Sequence, residues 1–325
     1  MNYYAKKRRP KASLQIFIII ILYLCCVLKI FTLKYEPQQF FINILLPYLD
    51  TTNIIFKSIT AILLLFNAIS VVLFLRRHSL IGLRNYYPAL LYLLFSFIFA
   101  NNINFWGEII IVVILWVILP FLLNLNEESI IPDTFMYGLC CGILSLLYIP
   151  FILLLILLYI VALYKKIYIF RAFILPVIGL CIVYIYIYVG FYLLDKFEMI
   201  QSFSTVTEQQ TDINIFFISY WKKPISLIVS ILLGGYSFFK IFQQSGKTVI
   251  NRRKNQYILL IIIVFQLIIT FFFNVNYSLF GQMMIAFFAI LLSLSMLYMN
   301  KTIIHKIIFF LLFIMAFYAN FSSLI

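Results

Sequence analysis

Ten acidic residues occur in 325, so each group able to do proton or cation chemistry can be placed individually. Glu36 and Asp50 bracket the short apolar stretch Gln39-Phe40-Phe41-Ile42-Asn43-Ile44-Leu45-Leu46. If that stretch folds both toward one cleft, the pair could activate a hydroxyl or coordinate a divalent cation through oxygen. Standing apart, they are two solvated loop carboxylates. Glu108 follows a compact polar-aromatic turn, Asn101-Asn102-Ile103-Asn104-Phe105-Trp106-Gly107. An acid there either caps a helix, where the N-terminal dipole favours negative charge, or assists catalysis from a recessed turn. Trp221-Lys222-Lys223-Pro224 sets two ammoniums beside an aromatic ring. They suit lipid phosphate in general, or one particular lipid-linked phosphate.

Other reactive groups are sparse. The two histidines, His78 and His305, lie in different segments, and His78 belongs to a basic cluster with Arg76 and Arg77. All five cysteines, Cys25, Cys26, Cys140, Cys141 and Cys181, fall inside apolar runs. They read as small buried hydrophobes, and without His or carboxylate companions they form no metal set. No metal or other cofactor is expected. Within the long apolar runs, Lys29 and Asn67 are nearly the only polar candidates.

The elements that must position these groups follow from composition. A soluble domain is about 45–50% apolar and about 25% charged; this chain is 65% apolar and 10% charged. Lipid must be the solvent for much of it, because a soluble domain of this size still needs a mostly polar exterior. The net charge of +14 does not point to nucleic acid. Its basic residues sit in short clusters between apolar runs, as orientation determinants do. At about twenty apolar residues per span, candidate spans are 13–33, 54–75, 87–101, 108–124, 134–149, 150–164, 168–194, 225–243, 257–273, 279–299 and 304–321. The fold class is therefore all-α: one polytopic membrane domain over 1–325, of about ten or eleven transmembrane helices. The run after Lys6-Lys7-Arg8-Arg9-Pro10-Lys11 is too long for a signal-peptide core and lacks a small-x-small cleavage site. It reads as an uncleaved first span behind a basic tail, 1–12.

Eleven spans with that tail in the cytoplasm gather every arginine and most lysines on the inner side, as the positive-inside rule requires. The inner segment Asn124–Asp133, with Glu127, Glu128 and Asp133, is the one without a basic residue. Outer loops then run over 34–53, 101–107 and 195–224. Gln39–Leu46 and Ile213–Trp221 are too short to span and read as helices lying in the interface. The expected location is a membrane, crossed many times, with the N terminus on the cytoplasmic side. Splitting 134–164 at Pro150 keeps the charge alternation intact, and a proline inside a span breaks its hydrogen-bond ladder. Tyr184, Tyr186 and Tyr188 alternate as in a strand, but the apolar run around them reads as helix, with Tyr184 and Tyr188 on one face.

Gly138-Leu139-Cys140-Cys141-Gly142, continued by Ser145, is a small-residue face that favours close helix packing within the chain. Together with Tyr137, Ile143, Leu144, Tyr148-Ile149-Pro150, Ala162-Leu163-Tyr164-Lys165-Lys166, Arg171, Pro176 and Gly179, it resembles a pattern in multi-pass bacterial proteins related to the GT-C glycosyltransferases. A small-residue helix, a proline-broken span, a basic inner turn and a glycine-containing return helix occur there in this order. The chain is similar as well to bacterial membrane families that share the layout. The resemblance implies a sugar donor linked to polyprenyl phosphate and a carboxylate in the first outer loop, where Glu36 stands. On that reading Glu36 is the base, Asp50 or Glu108 an assisting carboxylate, and Lys222 and Lys223 the phosphate contacts. Partners would be membrane lipids and a lipid-linked sugar. A second class is a non-catalytic subunit or assembly factor of a cell-envelope complex, which the scarcity of polar groups inside the spans favours. A solute transporter, third, would need buried charge along a path.

Overall fold

The computed structural model describes residues 12–32, 54–82, 85–99, 103, 105–126, 130–147, 149–193, 224–245, 250–272, 277–298 and 302–321. Among them every regular element is a helix and there is no strand. Helices α1 (Ala12–Thr32), α2 (Ile54–Arg77) and α3 (Tyr87–Ile98) are followed by α4 (Phe105–Val113), a π-helical turn (Ile114–Ile118) and α5 (Leu119–Asn124) as one continuous run. Next come α6 (Ile130–Leu147), a 3-10 turn (Ile149–Leu153) leading into α7 (Leu154–Tyr164), and α8 (Phe170–Leu193). The last four are α9 (Pro224–Ser245), α10 (Ile250–Phe272), α11 (Tyr277–Tyr298) and α12 (Thr302–Phe321).

Five helical runs have the length and apolar composition to cross a membrane: Gln15–Thr32, Ile54–Arg77, Phe105–Asn124, Ile130–Leu147 and Phe170–Leu193. The outward faces are apolar too. Leu28 on α1 and Ile185, Tyr186 and Leu193 on α8 are each more than half exposed, a surface that water would penalise and lipid accepts. Several hydroxyls in the helices are absorbed locally or between helices. The hydroxyl of Thr60 donates to the Phe56 carbonyl at 2.7 Å, and Ser295 on α11 donates to Ser237 on α9 at 3.0 Å.

The short apolar helix α3 is deeply enclosed. Twelve residues rise about 18 Å, short of a bilayer core, and nearly every side chain from Pro88 to Ile98 is buried. It packs against α1, α2, α11 and α12. Asn85 sets its start by accepting the Tyr87 N–H at 3.0 Å, and Pro88 falls in the first turn, where a missing N–H is harmless.

Two prolines explain two irregularities. Pro120 has no N–H to return to the carbonyl four residues back, and the helix widens just before it: the Leu119 N–H reaches the Ile114 carbonyl. Trp116 in that widened turn stacks on Phe66 and donates its Nε1 to the Ser70 hydroxyl at 2.9 Å. At Pro150 the segment expected over 134–164 divides into α6 and α7, as the charge pattern favoured. The small-residue face of α6 packs within the chain against α8. A Cβ on Gly138 would lie 2.1 Å from the Pro176 carbonyl oxygen, and one on Gly179 would lie 2.6 Å from that of Phe135. Ser145 and Tyr184 share a hydrogen bond at 2.9 Å farther along the same seam.

The helix boundaries depart from the apolar windows mainly at polar ends. α6 begins at Ile130 rather than 134, taking Asp133 into its first turn. α10 begins at Ile250 rather than 257, so Arg252, Arg253 and Lys254 are helical. Hydropathy marks only the lipid-buried stretch, whereas the hydrogen-bond ladder continues into the headgroup zone. The interfacial segments expected at 39–46 and 213–221 lie outside the described residues.

Candidate functional site

Glu108 stands in the first turn of α4, and its side chain is 1% exposed. A lone carboxyl in an apolar bundle is strongly disfavoured unless neighbours hydrogen-bond to it. Here α2 and α3 supply them. Asn67 Nδ2 donates to Glu108 Oε2 at 2.6 Å and to the Glu108 backbone carbonyl at 2.9 Å. The Tyr92 hydroxyl donates to the same Oε2 at 3.0 Å, and buried Ser96, one turn along α3, lies within hydrogen-bonding reach of that hydroxyl. Because a carbonyl only accepts, the bond to the Glu108 backbone fixes which end of the Asn67 amide points inward. Its Oδ1 is buried with no hydrogen-bond partner.

α1 closes the cluster from the fourth side. Cys26 is fully buried, donates weakly to the Leu93 carbonyl at 3.6 Å, and lies within electrostatic reach of both Glu108 and Lys29. The Lys29 ammonium, one turn beyond, sits 5.9 Å over the ring of Phe97. One carboxylate, one amide, one phenol, one thiol and a nearby ammonium therefore meet where four helices converge. Such a set can hold or exchange a proton and lock helices together. It offers no open face to a bulky substrate. Among the described residues no group of three His, Cys, Asp or Glu comes together as a metal site.

This cluster marks one end of the bundle. Lys57, at the start of α2, donates to the Phe31 carbonyl at the end of α1 at 3.3 Å. Phe56 packs edge-on against Phe105 with ring centroids 5.2 Å apart. The chain thus leaves α1 for residues 33–53 and re-enters α2 at the end where α4 begins.

The opposite end is basic. Lys165, just past α7, donates to the carbonyls of Leu123 and Leu125 at 2.7 and 2.9 Å, tying off the C-terminus of α5. Burial, reinforced by the charge of Lys254, pushes its ammonium pKa down to about 8. Arg252 from α10 donates through Nη2 to the Leu80 carbonyl beyond α2 and lies 5.9 Å over the Tyr298 ring.

Of the residues singled out in the sequence, Glu108 and Asn67 are brought into contact, and Glu108 lies deeper than a loop edge. Glu36, Asp50, Lys222 and Lys223 lie outside the described residues. Tyr92 and Ser96 were missed: nothing in sequence separates Tyr92 from the other tyrosines, 23 in all. The one available signal was its place in a span too short to cross alone. Comparison with known proteins finds no matching family model, no matching curated protein and no matching solved structure.

Proposed function

We propose that the chain is a multi-pass protein of the bacterial cytoplasmic membrane, with a GT-C-like arrangement of about ten or eleven spans. Its basic end faces the cytoplasm. At the other end it acts as a glycosyltransferase on a sugar linked to polyprenyl phosphate. One observation carries the reading: the Glu108–Asn67–Tyr92 cluster braces the end from which residues 33–53, with Glu36 and Asp50, leave and rejoin the bundle. Glu36 takes the proton of the acceptor hydroxyl as that oxygen attacks the anomeric carbon, and the polyprenyl phosphate departs. Asp50 assists, and Lys222 and Lys223 hold the phosphate. Glu108, closed off from a surface substrate, is a positioning residue that fixes α2, α3 and α4 beneath the loop. In membranes supplied with donor, Glu36→Gln should abolish glycan transfer; full transfer by that variant removes the proposal.

The closure of Glu108 by neutral partners also favours a second reading, a non-catalytic subunit of a cell-envelope complex, since a buried carboxyl held by two helices suits architecture better than turnover. Purification in mild detergent separates the two. A stoichiometric partner supports the subunit, and a lone monomer that transfers sugar supports the enzyme.

A further inference from the structure

The basic end buries cationic donors that have nothing to donate to. After Arg76 and Arg77, α2 turns sharply. Ser79 adopts a left-handed φ of 53°, and the amides of Leu80 and Ile81 both return to the Leu75 carbonyl, at 2.9 and 3.4 Å. The Leu80 carbonyl that this turn presents is the one Arg252 takes with Nη2. The guanidinium of Arg76 lies 4.7 Å over the ring of Tyr86, yet its Nε and Nη2 are buried and have no acceptor. The same holds for Nε of Arg252 and for Nε2 of His78, a residue only 7% exposed.

A guanidinium is always charged and carries five donors, so leaving several buried and unpaired is strongly unfavourable. Carboxylates do not relieve it. The described acids are Glu108, at the other end, and Asp133 on α6, and neither accepts a hydrogen bond from the buried Nε and Nη2 of Arg76 or Nε of Arg252. Other basic groups lie at this end of the bundle: Arg77 beside His78, and Lys254 beside Lys165. Burial first, and then the Arg77 charge, hold the His78 imidazole below its ordinary pKa, so His78 adds a neutral hydrogen-bonding nitrogen. Gln256, one turn along from Arg252, donates its amide to the Tyr298 hydroxyl and keeps a buried, unpartnered Oε1.

Leftover forked donors on two elements, with no anion beside them among the described residues, call for one bearing several oxygens. We propose that the 76–80 turn and the first turns of α10 form a binding site for a phosphate group, held by Arg76 and Arg252 with His78 beside them. The phosphate is that of an anionic membrane lipid or of a soluble phosphorylated ligand. A headgroup that also carries hydroxyls would meet the free acceptor on Gln256. The site is independent of the transferase reading and lies at the opposite end of the bundle.

Full-length protein in nanodiscs of mixed phosphatidylglycerol and phosphatidylcholine, released and weighed with its bound lipids by native mass spectrometry, tests the site. Wild-type protein should retain phosphatidylglycerol preferentially. R76Q and R252Q should each weaken that preference about fivefold, and K240Q, which removes one charge from α9, should leave it intact. Should the double variant fail to fold, R252K, which keeps charge but not the fork, should still lose preference. Competition by millimolar inorganic phosphate, with a rise in melting temperature that R76Q lacks, would assign the site to soluble phosphate. Equal lipid retention by wild type and both single variants, with no phosphate-induced shift, would overturn it.

Discussion

Ionisable groups are buried at both ends of this bundle, but the two ends complete them differently. Around Glu108, helices α2 and α3 bring Asn67 and Tyr92 to a single carboxyl oxygen, and its hydrogen bonds come from within the chain. Around Arg76 and Arg252, donors are buried without an acceptor among the described residues. The first arrangement specifies how helices pack, because moving any one of them strands a polar group in an apolar interior. The second is complete only when something else arrives. A buried polar group thus reads as architecture or as a binding site according to whether its partners lie in the same chain.

The contrast breaks most directly at Glu108. Glu108→Ala removes the carboxyl oxygen that the Asn67 amide and the Tyr92 hydroxyl share, leaving Asn67 only the backbone carbonyl of residue 108, and should lower stability by about 3 kcal/mol, measured as unfolding in detergent. Asn67→Ala should cost nearly as much, and Tyr92→Phe about 1 kcal/mol. Because these side chains share one network, Asn67→Ala combined with Glu108→Ala should cost less than the sum of the two. Strict additivity would show that the cluster is not a unit.

A smaller effect sharpens the comparison at the basic end. The folded pKa of Lys165, about 8, lies below its ordinary value of 10.5. Between those values the unfolded chain binds more protons than the folded one, so stability should rise with pH over roughly 8 to 10.5. Partial exposure of the side chain keeps the slope shallow. The neutral amine still has two N–H groups for the Leu123 and Leu125 carbonyls, so the helix end stays tied. Lys165→Gln should flatten the slope; an unchanged slope would assign it elsewhere.

Much of this was legible in the sequence wherever one residue type or one period decides the outcome. Apolar runs located the helices, Pro150 marked the break between α6 and α7, and Gly138, Gly142 and Ser145 marked the seam with α8. Asn67 and Glu108 each stood out as polar groups in apolar surroundings. Their meeting did not show, because they lie 41 residues apart and contact depends on how α2 crosses α4. Tyr92 was invisible for a related reason: tyrosine is common here, and its partner is chosen by tertiary packing. The basic clusters carried an orientation signal, but charge counting does not reveal which donors lack acceptors once the helices close.

The most direct measurement compares Glu36→Gln with Glu108→Gln in one set of membranes, reading glycan transfer and melting temperature together. Glu36→Gln should abolish transfer at an unchanged melting temperature. Glu108→Gln should lower the melting temperature while its folded fraction still transfers sugar. Transfer retained by Glu36→Gln, or abolished by Glu108→Gln at full stability, would contradict the account.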